Sequence, residues 1–376
     1  MRGRAPASAY GCIRRLFADN RHCVMGTDAD AGSAPQGDTA PPAGGGPPRA
    51  GRATRTRLYR GGTLEREDFP VQDISRYLGE ADCTVWLDVC DPDSADFDMI
   101  AEEFGLHSLA VEDARHEHQR PKLDVYRGHL FLSAYAVAVD PGTGAVDTRE
   151  LSAFVTSHAL ITVRRGDQCP VGPLVDRWDN SPDLAKYGVG FLVHGLLDYL
   201  VDGHFAAVQD LDDRIEQLED LLFEDGPDEI EAVQRRSFEL RRSLVRLRRV
   251  VLPMREVVNA LLRRDLHVVP EPMLPYFQDV YDHVLRAAEW TESLRDLVTT
   301  VMETNLTVQG NRMNLIMKKV TSWAAIIAVP TAVTGFYGQN VPYPGFGGHS
   351  GFWVSTILMV VLSALLYVTF RRRDWV

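Results

Sequence analysis

Three groups of residues in this 376-residue chain have the types and spacing from which chemistry is built. The first is His107, His116 and His118 with Glu112 and Asp113, imidazoles and carboxylates near enough in sequence to relay protons or hold a metal ion. No nucleophile, cofactor loop or zinc-ligand spacing accompanies them, so the expected role is structural and no enzymatic activity is expected. The second is a segregation of charge: residues 210–229 are rich in Asp and Glu, and residues 235–249 in Arg. It reads either as two antiparallel helices with solvated, mutually attracting faces or as an acidic tip that concentrates cations. The third is Thr334-Gly335-Phe336-Tyr337-Gly338-Gln339-Asn340, where two amide side chains close an uncharged run.

With 45% hydrophobic and 24% charged residues the chain buries a full core and is neither disordered overall nor fibrous. A formal charge of −12 argues against a nucleic-acid partner and suits a surface that meets cations. No G-x-x-x-x-G-K-[ST] loop is present, so no nucleotide partner is expected. The five cysteines, Cys12, Cys23, Cys83, Cys90 and Cys169, form no C-x-x-C pair and read as reduced thiols.

The third group must be positioned by the apolar C-terminal segments. Residues 320–336 and 353–370 are uncharged and each approaches the roughly 20 residues that cross a bilayer. Lys318 and Lys319 precede the first run and Arg371, Arg372 and Arg373 follow the second, whereas residues 338–352 contain no Lys or Arg. Both termini are therefore expected in the cytoplasm, with a short loop outside a cell inner or plasma membrane. Trp323, Trp353, Tyr367 and Trp375 suit interfacial anchoring, although Trp323 also suits packing between helices. At helical spacing Asn314, Met317, Thr321, Ala324, Ala328, Thr331 and Gly335 share one stripe, which either lines a path or only permits close packing. Two spans cannot enclose a water-filled path alone, so a transport role requires an oligomer.

The remaining sequence divides further. Residues 1–55 are expected to be a disordered tail, because 27–55 carry almost no large apolar residue to offset the entropy of ordering. Residues 56–187 read as a soluble α/β domain, with strands at 84–89, 129–139, 151–156 and 159–164, helices at 97–104 and 109–114, and a turn at Asp140-Pro141-Gly142. Residues 188–319 read as long helices. Leu240, Leu244, Leu247, Val251, Met254, Val258 and Leu261 form one heptad seam, with Pro253 as a possible bend. Val280, Val284, Ala287, Leu294, Val298, Val301 and Val308 form another, in a helix of more than 50 residues that meets no proline until Pro330. The expected order is then a first membrane helix at 320–338, an external loop at 339–352, a second membrane helix at 353–370 and a basic end at 371–376.

The sequence Tyr337-Gly338-Gln339-Asn340 resembles the Tyr-Gly-Met-Asn signature of the CorA family of magnesium and cobalt channels, and the resemblance extends further. Leu109-Ala110-Val111-Glu112-Asp113, His118-Gln119-Arg120-Pro121-Lys122, the segment from Pro275 through Asp279 to His283, and Arg371-Arg372-Arg373-Asp374-Trp375 follow in the family's order. The resemblance implies a funnel-shaped homopentamer with an α/β/α cytoplasmic domain, one long pore helix per subunit and a basic ring at Arg371, Arg372 and Arg373. It implies a selectivity filter at Gly338, Gln339 and Asn340, and family pore positions at Asn314, Val320, Ala328 and Thr331. Met317, Val320, Ala324 and Ala328 would form an apolar constriction. Asp113 and Asp279 fall on the family's intersubunit carboxylates, so Mg2+ is expected both as cargo and as regulator, passing passively under the membrane potential. Mg2+ holds its water tightly, and a ring of neutral amide oxygens binds the hydrated ion without that cost. Gln339 departs from the family's Met, and the loop lacks an acidic residue while carrying His349. A Zn2+, Co2+ or Ni2+ cargo is therefore the alternative, and a membrane-anchored coiled-coil protein without transport is a third reading.

Overall fold

The computed structural model describes residues 54–116, 119–166, 170–222, 227–263, 268–339, 342 and 348–375. The chain divides into two units, 1–49 and 50–376, and the described residues belong to the second.

Among the described residues seven strands form one sheet: β1 (Thr54–Arg60), β2 (Thr63–Glu67), β3 (Cys83–Cys90), β4 (Lys122–Tyr126), β5 (His129–Val139), β6 (Val146–Val155) and β7 (Ala159–Arg164). Their order is β2-β1-β3-β7-β6-β5-β4, antiparallel throughout except for the parallel pair β3 and β7. The two-residue alternation of strands sorts the core into layers. Leu58, Val85, Leu87, Phe131, Phe154 and Ile161 face α1 (Ile74–Leu78), α2 (Ser94–Phe104) and α3 (Ser108–Arg115). Tyr59, Trp86, Leu132, Leu151, Ala153 and Leu160 face the opposite layer. That layer is built from α4 (Gly172–Asp179), α5 (Val189–Leu221), α6 (Pro227–Leu262) and the start of α7 (Leu274–Tyr337). The result is the expected α/β/α arrangement. Because helices cover both faces, β3 is buried at every position, Thr84 and Asp88 included, and is otherwise apolar.

Local signals explain the boundaries. Asp93 and Asp96 cap α2 reciprocally, and Gly105, at φ 61°, ends it. At the turn between β5 and β6, Asp140 Oδ1 accepts from the amides of Gly142 (3.0 Å) and Thr143 (2.7 Å). Arg214 of α5 donates to the carbonyls of Asp140 and Pro141, so the hairpin tip rests on the long helix.

Every residue of the α6 seam is buried, and Pro253 sits inside an uninterrupted helix. The α7 seam is buried except for Val308, which is half-buried, and α7 runs for 64 residues with Pro330 inside it. α5, α6 and α7 share a third apolar cluster that includes Leu211, Ile215, Leu244, Leu247, Leu294 and Val298. The expected attraction between the acidic and basic segments takes a different form. Among the described residues, Arg248 pairs with Glu292 of α7 and Arg246 donates to the Val146 carbonyl, so the arginines brace α6 against α7 and β6. Apolar burial holds α5 to α6.

Candidate functional site

Two regions carry the residues singled out by sequence. The first is the end of α7 with α8 (His349–Arg372), both long and apolar enough to cross a membrane. α8 packs on one face of α7, where Ser322 and Val333 are buried and Ala325, Ile326, Val329 and Pro330 are half-buried. Asn314, Met317, Val320, Ala324, Ala328, Thr331 and Gly335 are all exposed in the single chain. At about 100° per residue they lie on the side of α7 turned away from α8. The hydroxyls of Thr331 and Thr334 donate to the carbonyls of Ile327 and Pro330, so they need no other partner. Trp323 is half exposed and does not pack between the helices of one chain.

α7 ends in a tight turn. The Gly338 amide donates to the Thr334 carbonyl at 2.8 Å, and a Cβ at Gly338 would stand 3.0 Å from that oxygen, which favours glycine. The Gln339 amide donates to the Phe336 carbonyl at 3.3 Å, and Gln339 is exposed. Asn340 lies outside the described residues. Arg371 and Arg372 occupy the last turn of α8, where cations favour the helix dipole. Arg373 follows them, exposed, and the Trp375 ring stacks on Phe370 at 5.8 Å.

The second region holds the two carboxylates. Asp113, on α3, is half-buried and bonded to Lys122 Nζ at 2.7 Å. The same ammonium reaches Asp124 Oδ2 at 2.9 Å and lies 5.7 Å from the Phe131 ring centre. Burial alone would lower the Lys122 pKa, but the bonds to Asp113 and Asp124 raise it, so the ammonium stays charged. Asp279, near the start of α7, is two-thirds exposed, with His283 Nδ1 at 3.5 Å. His194 of α5 packs edge-on against Tyr276 and Phe277, and burial lowers its pKa against the opposing pull of Asp198 and Asp279. Within one chain Asp113 and Asp279 have these partners rather than each other.

Two of the histidines near Asp113, His107 and His116, have local structural partners. His107 Nδ1 accepts from the Leu109 amide at the start of α3 and stacks on Tyr126, which stacks on His129. His116 Nδ1 lies 2.8 Å from the Glu112 carbonyl. His118 lies outside the described residues.

Sequence reasoning missed three groups. Lys122 is one of these, because nothing in the sequence pairs it with Asp113 until β4 and α3 come together. Asp88 is wholly buried, with Arg164 Nε at 2.9 Å and Thr162 Oγ1 at 2.8 Å. Burial raises its pKa while Arg164 lowers it. A lone carboxylate inside the apolar run of β3 was the signal for this pair. Glu80, Asp82 and Cys83 lie close enough to hold a metal ion, but Arg60 already occupies Glu80 and approaches Asp82 at 3.5 Å. Burial raises the Cys83 thiol pKa, so it stays protonated.

Comparison with known proteins adds a consistent result. Residues 82–372 match the family described as CorA-like Mg2+ transporter protein. The chain is 29% identical over 316 residues to the cobalt/magnesium transport protein CorA of Thermotoga maritima, covering 83% of this chain and 89% of that protein. It is 29% identical over 324 residues to the putative metal ion transporter YfjQ of Bacillus subtilis, covering 86% and 96%. The complete structure of the CorA magnesium transporter from Methanocaldococcus jannaschii superposes with a TM-score of 0.68 at 23% identity, covering 85% of this chain and 98% of that one. With most of its length matched and its fold shared, the chain belongs to the CorA-like Mg2+ transporter family.

Proposed function

We propose that the protein is a passive membrane channel for divalent cations, Mg2+ first and Co2+ with it, assembled as a homopentamer and gated by cytosolic Mg2+. The carrying observation is α7, one 64-residue helix that starts in the α/β/α core and ends at Tyr337, directly before Gly338-Gln339-Asn340. Such a rod links a soluble domain mechanically to a membrane exit. Its unpartnered stripe supports a pore built where several copies meet, with α8 outside against lipid. Family membership supports the cargo, since the relatives from Thermotoga maritima and Methanocaldococcus jannaschii are cobalt/magnesium transport proteins. Basic residues at both cytoplasmic flanks support an N-in, C-in orientation.

In this reading hydrated Mg2+ meets a ring of Asn340 amides with Gly338 and Gln339 at the outer mouth, then passes Gly335, Thr331, Ala328, Ala324, Val320, Met317 and Asn314. Arg371, Arg372 and Arg373 form a basic ring at the inner membrane surface. A divalent ion entering a negative interior gains about 4.6 kcal/mol per 100 mV, enough to drive uptake without nucleotide. Asp113 of one subunit and Asp279 of the next repel unless a cation lies between them, so cytosolic Mg2+ holds the closed state and its loss releases the subunits.

The test is divalent uptake by the purified protein in liposomes under an inside-negative potential, comparing Mg2+, Co2+, Ni2+ and Zn2+ for wild type and Asn340→Ala. Mg2+ entry that falls by about tenfold or more in the variant is expected from loss of a filter contact. Entry of Zn2+ alone would assign the chain to the alternative cargo that Gln339 keeps open, and no entry of any ion would favour an anchored protein without transport.

A further inference from the structure

We propose that Lys122 sets the Mg2+ threshold of the regulatory site, its ammonium serving as a tethered counter-ion that a divalent ion must displace from Asp113. This rests on the reading of Asp113 as an ion-sensing carboxylate. Lys122 Nζ lies 2.7 Å from Asp113 Oδ2 and 2.9 Å from Asp124 Oδ2, so one positive charge is shared by two carboxylates on different elements, α3 and β4. Lys122 and Asp124 stand two residues apart on β4 and therefore point to the same face. The Phe131 ring backs the ammonium, and the side chains of Lys122 and Asp113 are each about a quarter exposed. A pair at that depth is screened less than one in open water, yet a solvated ion still reaches it.

The three charges sum to −1, so the pocket attracts a cation while already holding one. A hydrated Mg2+ that takes Asp113 must either break the bond to Lys122 or sit beside its positive charge, and both raise the concentration needed to occupy the site. Removing the ammonium frees Asp113 and leaves a net charge of −2. From the usual worth of a partly exposed ion pair together with the relieved repulsion, the half-saturating Mg2+ concentration should fall about three- to tenfold. Arginine keeps the charge and grips a carboxylate bidentately, so it should not lower the threshold.

The experiment uses the full-length protein in detergent. It measures the Mg2+ concentration that half-protects against limited chymotrypsin digestion, with the thermal midpoint recorded alongside. Lys122→Met keeps the apolar stem against Phe131 and is expected to lower the half-point three- to tenfold, whereas Lys122→Arg leaves it unchanged or raises it. Asp113→Asn is expected to raise it. A purely structural role would lower the thermal midpoint without moving the Mg2+ half-point in this direction, and that result overturns the proposal. If Asp113→Asn shifts the half-point and Lys122→Met does not, the sensing role of Asp113 stands and the threshold role of Lys122 falls. If Asp113→Asn changes nothing, the sensing reading fails and the proposal goes with it. Lys122→Gln is the second variant should Lys122→Met not assemble, and failure of both to assemble assigns Lys122 to the fold and overturns the proposal.

Discussion

His204 lies wholly buried where α5 meets β5, with Nε2 2.7 Å from the Tyr135 carbonyl and no hydrogen-bond partner at Nδ1 among the described residues. Nε2 therefore carries the proton and donates, and a second proton on Nδ1 would be an unpaired charge in the core. Burial lowers the pKa from 6.5 to about 4. The sign follows from proton uptake: between pH 6.5 and about 4 the unfolded chain binds a proton at this position that the folded chain refuses, so acidification through that window favours unfolding. The accumulated loss is about 3 kcal/mol at the acid end and absent above pH 7. Replacing His204 with Gln, which cannot titrate, should flatten the fall in the thermal midpoint between pH 7.5 and 5 even if it lowers the midpoint at pH 7.5. An unchanged slope would remove His204 as a source of acid sensitivity.

α4 is held to α5 by a contact that only glycine allows. A Cβ at Gly195 would stand 2.3 Å from Nε1 and 2.6 Å from Cδ1 of Trp178, which is itself buried edge-on against Trp86 at 4.8 Å. Alanine in place of glycine inside a helix normally gains about 1 kcal/mol, whereas overpacking a rigid core costs about 1–3 kcal/mol. Gly195→Ala should therefore lower the thermal midpoint, and a rise would mean that α4 yields freely. The same balance of local rule against tertiary context decides how far the elements could be read from sequence. The seams of α6 and α7 were legible because each repeats over many turns and no local feature opposes it. Strand β1 was not, because residues 54–57 alternate Thr with Arg, and a buried arginine looks like a surface residue until its partners appear. Arg57 is almost wholly buried because Glu67 on β2 and Asp179 on α4 reach it, and both contacts are tertiary. The candidate site divides likewise: the α7 stripe follows from helical spacing alone, while the Lys122 bridge needs β4 and α3 brought together.

The α7 stripe does not begin at the membrane. Counting back from Met317 in steps of four and three reaches Met313, Gly310 and Leu306, all exposed, with Leu306 at 66% and Met313 at 59%. These residues precede Lys318 and Lys319, so in the proposed topology they meet water, where a continuous apolar row signals a missing partner. The buried seam of α7, through Leu294, Val298 and Val301, lies on a different side of the helix and is already filled by α5 and α6. A helix with one seam satisfied inside its own chain and a second left bare suits a ring, in which the bare seams of identical copies converge on a shared axis. The consequence is specific to side and depth. In a chain whose native cysteines are replaced by alanine, Met313→Cys and Met317→Cys should form covalent dimers under mild oxidation. Leu315→Cys, between them in sequence but about 160° or more around the helix, should react about tenfold more slowly, since its sulfur cannot approach its counterpart within the 7 Å Cα limit of a disulfide. Leu315 is 51% exposed in the single chain, so solvent access does not separate the three positions and only the side of the helix does. Equal cross-linking at Leu315 would place the axis elsewhere and remove the stripe from the pore.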